Sequence, residues 1–77
     1  MGLQIFIIMF LYYKFKSHIS HIHIVYRWNI DNDASLRIRV DFNTGNIESS
    51  ECYFSPRVCP SFYEEITEEE FNYYLEL

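Results

Sequence analysis

Seventy-seven residues, six Lys/Arg against eleven Asp/Glu and a formal net charge of -5 describe an acidic chain with room for a single small domain over residues 1–77. Apolar residues make up 49% and aromatics 19%, with only two glycines and two prolines, so a disordered tail, a collagen-like repeat and a Gly/Ser linker are excluded. A doubly wound nucleotide-binding fold or a barrel enzyme needs a far longer chain.

The first element in chain order is the apolar run Leu3–Tyr13, interrupted only by Gln4 and closed by Lys14 and Lys16. It is too short for a membrane-spanning helix, which needs ~20 apolar residues. Ile5, Phe6, Ile7, Ile8, Phe10, Tyr12 and Tyr13 are β-branched or aromatic, which predicts a strand over 3–15. A short helix lying on a sheet is the alternative, because periodicity does not assign short apolar runs. The run lacks a basic leader and a small-residue cleavage site, so the expectation is a cytoplasmic protein with reduced thiols.

Over Ser20–Ile30 the even positions are Ile22, Ile24, Tyr26, Trp28 and Ile30, and the odd ones His21, His23, Val25, Arg27 and Asn29. This is strand alternation. Leu36–Phe42 repeats it, with Leu36, Ile38, Val40 and Phe42 against Arg37, Arg39 and Asp41. The turn composition 31–35 joins them. If both even-numbered faces are the inner one, antiparallel partners sum to an even number. That register pairs Ile30 with Leu36, Trp28 with Ile38 and Tyr26 with Val40, and sets Arg27 opposite Arg39. Gly45 marks the next turn. A weaker strand, Ile47–Phe54, would bring Glu51 beside Arg39 or Arg37 and turn Cys52 and Phe54 inward. The segment 55–60 then breaks the sheet.

Thr67 and Glu70 form a capping box, and Ile66 with Phe71 matches the hydrophobic staple, so a helix is predicted from Glu68 to the end of the chain. Glu68, Glu69 and Glu70 fall in its first turn, where the helix dipole favours negative charge. The expected fold is α+β: an antiparallel three- to four-stranded sheet, a meander, with the C-terminal helix packed on one face.

A strand over 3–15 would be ~43 Å long at ~3.3 Å per residue, whereas a helix over 68–77 is ~15 Å long. One such helix leaves much of the sheet uncovered. The first strand is apolar on both faces, a pattern normally covered on both sides. The expectation is that a second copy or a foreign target buries the surplus, with Phe6, Ile8, Phe10 and Tyr12 as the oligomer interface.

His18, His21 and His23 with Cys52 and Cys59 supply zinc-type ligands. However, six residues separate the two cysteines, a wider gap than in paired zinc ligands, and the register turns His21 and His23 away from Cys52. No metal and no other cofactor is expected. Neither thiol lies in a nucleophile signature, and a glycine-rich phosphate loop is missing, so no catalytic residue is assigned and no enzyme is expected.

Charge divides between the halves: five Lys/Arg and three Asp over 1–46, eight Glu and one Arg over 47–77. Five of the seven residues from Glu64 to Glu70 are glutamates. Their bland role is a solvated helix start; their functional role is an acidic surface that competes for a basic groove as a nucleic-acid mimic does. The small, acidic, motif-free character is similar to many proteins of bacteriophages and mobile elements, although no motif carries that likeness. The expected function is therefore a non-enzymatic protein-binding module, such as a phage-type, anti-CRISPR-like inhibitor of a host defence nuclease. Glu64, Glu65, Glu68, Glu69 and Glu70 would meet a basic protein surface, with Tyr63 and Tyr73 as exposed anchors. Direct nucleic-acid binding and membrane association are not expected. The alternative is a structural homo-oligomer, such as a homodimer, or a complex subunit assembled through the apolar N-terminal strand.

Overall fold

The computed structural model describes residues 9–16 and 20–77. Their elements are β1 (Phe10–Phe15), β2 (Ile22–Asn29), β3 (Ala34–Asp41), β4 (Asn46–Tyr53), a 3-10 turn (Pro60–Phe62), β5 (Tyr63–Ile66) and α1 (Glu68–Leu75). The strands form one antiparallel sheet in the order β4-β3-β2-β1-β5. The α+β class and the meander through β4 agree with the sequence. The fifth strand exceeds the expected count of three or four. Two of its four residues are glutamates, poor strand formers, so no local signal announces it. The long-range ladder with β1 makes it a strand, extended by the Lys16 N–H donating to the Phe62 carbonyl at 2.8 Å.

α1 begins where its capping chemistry says. The Thr67 hydroxyl accepts from the Glu70 N–H at 3.1 Å, and Ile66 packs into the same core as Phe71, which completes the staple.

The register between β2 and β3 differs from the expected one. Val25 pairs with Ile38, Arg27 with Leu36, Tyr26 with Arg37 and Trp28 with Ser35, so partners sum to an odd number. Arg27 and Arg39 lie on opposite faces, and Glu48 rather than Glu51 stands beside Arg39. The turn sets this parity. Four residues separate the strands, Asp33 takes a left-handed φ of 59°, and the Asn29 and Asn32 side chains accept from the Asp31 and Ala34 N–H groups. A change of parity exchanges faces. The even residues of β2 therefore point to one side of the sheet and the even residues of β3 to the other.

Both sides are covered. On the helix face, Val25, Ile38, Val40 and Phe71 are buried to within 2% exposure, ringed by Tyr12, Leu36, Ile66 and Tyr74. On the opposite, loop face, Trp28 and Phe54 are buried. Tyr26 stacks on Phe54 with centroids 4.0 Å apart, and Tyr63 meets Phe54 edge-on at 4.7 Å. Segment 54–62 crosses this face: Arg57 caps the Trp28 ring at 5.2 Å, and Phe62 contacts Phe15.

The expected shortage of cover is corrected for Phe10–Phe15. This strand runs between β2 and β5. Tyr12 packs on Phe71 at 5.2 Å on one face, and Tyr13 packs on Trp28 and Phe54 on the other. The cover comes from the segment that breaks the sheet, whose aromatic and proline residues fold back over it. The earlier part of the expected strand, 3–8, lies outside the described residues.

Candidate functional site

The acidic residues follow from two successive elements on one side of the sheet. β5 is an outer strand, so Glu64 and Glu65 project to opposite faces of an edge, Glu64 beside Lys14 and Glu65 beside Tyr13. Thr67 then turns the chain into α1, whose first turn carries Glu68, Glu69 and Glu70. All five carboxylates are exposed and make a rim along the β5 edge and the start of α1. The free N–H groups and dipole of the first helical turn favour the negative charge there. The charges on β5 also deter another strand from pairing with it.

The two expected anchors separate. Tyr73 is 55% exposed on α1 and packs edge-on against Tyr74. Tyr63 is not an exposed anchor: it is half-buried in the aromatic layer with Phe54, Tyr26 and Phe15. Sequence alone reads it as exposed because its strand is unannounced, so its neighbours are too.

Of the expected oligomer interface, Phe6 and Ile8 lie outside the described residues. Phe10 is half-buried beneath the Arg27 guanidinium, 4.8 Å from the ring centroid. Tyr12 lies under α1, and burial, with the nearby Glu68 charge, raises its hydroxyl above the usual tyrosine pKa.

His23 is half-buried against α1. The odd residues of β2 face α1, and the ring makes contacts with Phe42 and Tyr74. Its Nε2 lies 3.1 Å from the Ser20 carbonyl, which only accepts, so Nε2 carries the proton. In the neutral ring Nδ1 then accepts from the Tyr74 hydroxyl at 2.7 Å. Burial raises the Tyr74 pKa, which keeps that donor protonated. Cys52 sits half-buried beside Ser35 on the loop face, with the sheet between it and His23, and burial raises its thiol pKa. The two side chains share neither a metal ion nor a proton. Cys52 and Cys59 are both free thiols. Among the described residues no group of three or more His, Cys, Asp or Glu gathers as a metal site, and no helix is long and apolar enough to cross a membrane.

One concavity was not foreseen. Beyond the reach of α1, the helix face opens into a groove of about 480 Å³ lined by Phe10, Arg27, Leu36, Glu51 and Tyr53 among others. Arg27 Nε is buried there without a hydrogen-bond partner among the described residues, and Tyr53 is 88% exposed. The signal for this groove was present in the alternation of β4, but the assumed register put its residues on the wrong faces. Comparison with protein families, curated proteins and solved structures finds no match for the chain.

Proposed function

We propose that this protein is a non-enzymatic binding module whose acidic rim docks on a basic surface of another protein. The observation that carries this reading is the exposure of Glu64 and Glu65 on the outer strand β5 and of Glu68, Glu69 and Glu70 in the first turn of α1, with Tyr73 exposed on the same helix. Exposed carboxylates of one sign steer a cationic partner and set its orientation, and an exposed tyrosine adds an amphipathic anchor. A groove that holds a nucleic-acid backbone is the surface such a rim imitates. The reading is therefore an inhibitor of the phage or mobile-element kind, acting in the cytoplasm on a host defence nuclease.

Pull-down from bacterial lysate at low and raised salt, with the native chain and with Glu64, Glu65, Glu68 and Glu69 all replaced by Gln, tests it. The expected result is a partner held at low salt, released by added salt, and lost from the Gln variant. Equal capture by both chains rejects the acidic-rim mechanism. Of the residues for the alternative assembly, Tyr12 packs on Phe71 of α1 and Phe10 lies beneath the Arg27 guanidinium, while Phe6 and Ile8 lie outside the described residues.

A further inference from the structure

The two edges of the sheet are unequal. β5 has four residues, two of them glutamates; β4 has eight, also with two glutamates, Glu48 and Glu51, but with neither proline nor lysine. Short edges resist pairing, and long edges without proline, lysine or a bulge invite it. The phase of the β4 ladder is fixed by one bond: the Phe54 N–H donates to the Asp33 carbonyl at 3.0 Å. Main-chain groups alternate sides along a strand. Phe54, Cys52, Ser50, Glu48 and Asn46 thus turn their N–H and C=O groups toward β3, and Ile47, Ser49, Glu51 and Tyr53 turn theirs outward. Four residues whose main-chain groups have no partner among the described residues, all with side chains on the helix face, line this edge.

We infer that β4 is a self-pairing edge, and that two copies of the chain join β4 to β4 antiparallel about a twofold axis through Ser50, forming one continuous ten-stranded sheet. The register follows from three independent counts. A twofold antiparallel pair keeps each face on the same side in both copies, so opposed residues share parity. Among such registers, the one centred on Ser50 opposes Ile47 to Tyr53 and Ser49 to Glu51, and it satisfies every outward group of Ile47, Ser49, Glu51 and Tyr53. A register centred on Ser49 strands the groups of Tyr53, and one centred on Glu51 strands those of Ile47 and opposes two glutamates. The Ser50 register alone also sets Tyr53, 88% exposed, against Ile47, 43% exposed, on the same face. Aromatic and β-branched residues make favourable cross-strand pairs, and like charges directly opposed do not. Hydrogen bonding, charge and apolar cover thus select the same alignment. The acidic rim is left free at the far edges of the joined sheet, so self-pairing and partner docking use different surfaces.

Sedimentation equilibrium of the full chain is the first measurement, with a mass rising with concentration toward twice the 9.4 kDa chain expected. Ser49→Pro is the second. The Ser49 N–H points outward, so proline removes no bond to β3 and the monomer keeps its circular dichroism while dimer is lost. The third is oxidative cross-linking with Cys52 and Cys59 both replaced by Ser. Ser50 meets its own copy as a non-hydrogen-bonded pair, about 4.5 Å between Cα atoms, within disulfide range. Ser50→Cys is expected to give roughly tenfold more linked dimer than Ser49→Cys, whose Cα atoms lie beyond the ~7 Å limit. A chain that stays monomeric at millimolar concentration, or equal linking of the two variants, overturns the inference. If Ser49→Pro fails to fold, the cross-linking pair still decides.

Discussion

The helix face and the loop face of this sheet are closed by different chemistry. On the helix face, aliphatic side chains of β2 and β3 meet Phe71 of α1, which is 0% exposed, with Tyr74 packed beside it. On the loop face, aromatic rings from β1, β2 and β5 interlock with Phe54 under a segment with little regular structure. The described residues thereby build a core on both sides of one sheet with one α-helix. Aromatic rings make this feasible: each buries 150–250 Å² or so, and a covering loop can present them without a regular repeat. Such a loop carries its backbone polar groups at the surface, where water satisfies them.

The largest expected effect is on the helix face. Phe71→Ala removes the fully buried helical side chain that packs with Val25, Ile38 and Val40, and should destabilise the fold by about 3–5 kcal/mol. Most or all of the stability of a domain this small goes with it. Phe54→Ala on the loop face should lie near the lower end, ~3 kcal/mol, since an irregular segment collapses onto a cavity more readily than a helix does. The two variants are distinguished by chemical denaturation followed by Trp28 fluorescence and by far-ultraviolet circular dichroism. With Phe54→Ala the tryptophan signal should change before the backbone signal; with Phe71→Ala the two should change together. Coincident transitions in both variants would show the two faces to be one cooperative unit.

Alkaline pH tests both faces at once. Tyr12 and Tyr74 on the helix face, and Tyr13 and Tyr26 on the loop face, all have hydroxyls raised above the ordinary tyrosine value of 10.0, with burial the largest cause in each. In the unfolded chain they lose protons near pH 10; in the folded chain they hold them to higher pH. The unfolded state therefore binds fewer protons in that window, and stability falls as pH rises. Below the unfolded value these groups contribute no pH dependence. The urea midpoint should stay level, as far as the tyrosines govern it, from about pH 8 to 9 and decline from about pH 10 upward, in step with tyrosinate absorbance. A midpoint constant to about pH 11 would mean that the rings are open to solvent.

What the sequence disclosed and what it withheld follow from the same two-sided design. Local signals survived: Thr67 as the cap, Ile66 and Phe71 as the staple, Gly45 at a φ of 74° in the β3–β4 turn, and the alternation of β2 and β3. Each depends on a few neighbouring residues. The register of β2 on β3 was lost because only one face was assumed apolar. With Trp28 buried on one side and Ile38 on the other, alternation alone fits two registers, and the turn at Asp33 chooses between them. β5 was lost because Glu64 and Glu65 have no strand preference and acquire it from β1. The acidic rim was legible as a run of glutamates, but its position on an outer edge was not, and the misreading of Tyr63 came with it. The edge position of β4 follows from the expected meander, whereas the alignment on β3 decides which β4 main-chain groups face away from it, and the register error hid that.

The smallest expected effect concerns the strain in the loop that closes the aromatic face. Cys59 adopts φ 57° and ψ 58° at the start of the 3-10 turn and makes no side-chain capping bond. A left-handed conformation costs a residue with a Cβ roughly 1–2 kcal/mol, and the following proline, Pro60, disfavours a helical conformation in the residue before it. The thiol is exposed, so packing does not offset this cost. Glycine adopts the conformation freely but loses more entropy on ordering, about 0.5–1 kcal/mol. The balance predicts that Cys59→Gly stabilises the chain by about 0.5 kcal/mol, whereas Cys59→Ala leaves it unchanged. Denaturation of the two variants side by side measures the difference. If glycine proves no better than alanine, the loop bears no strain at this position, and its cover of Trp28 and Phe54 is as relaxed as that of α1 over Val25 and Ile38.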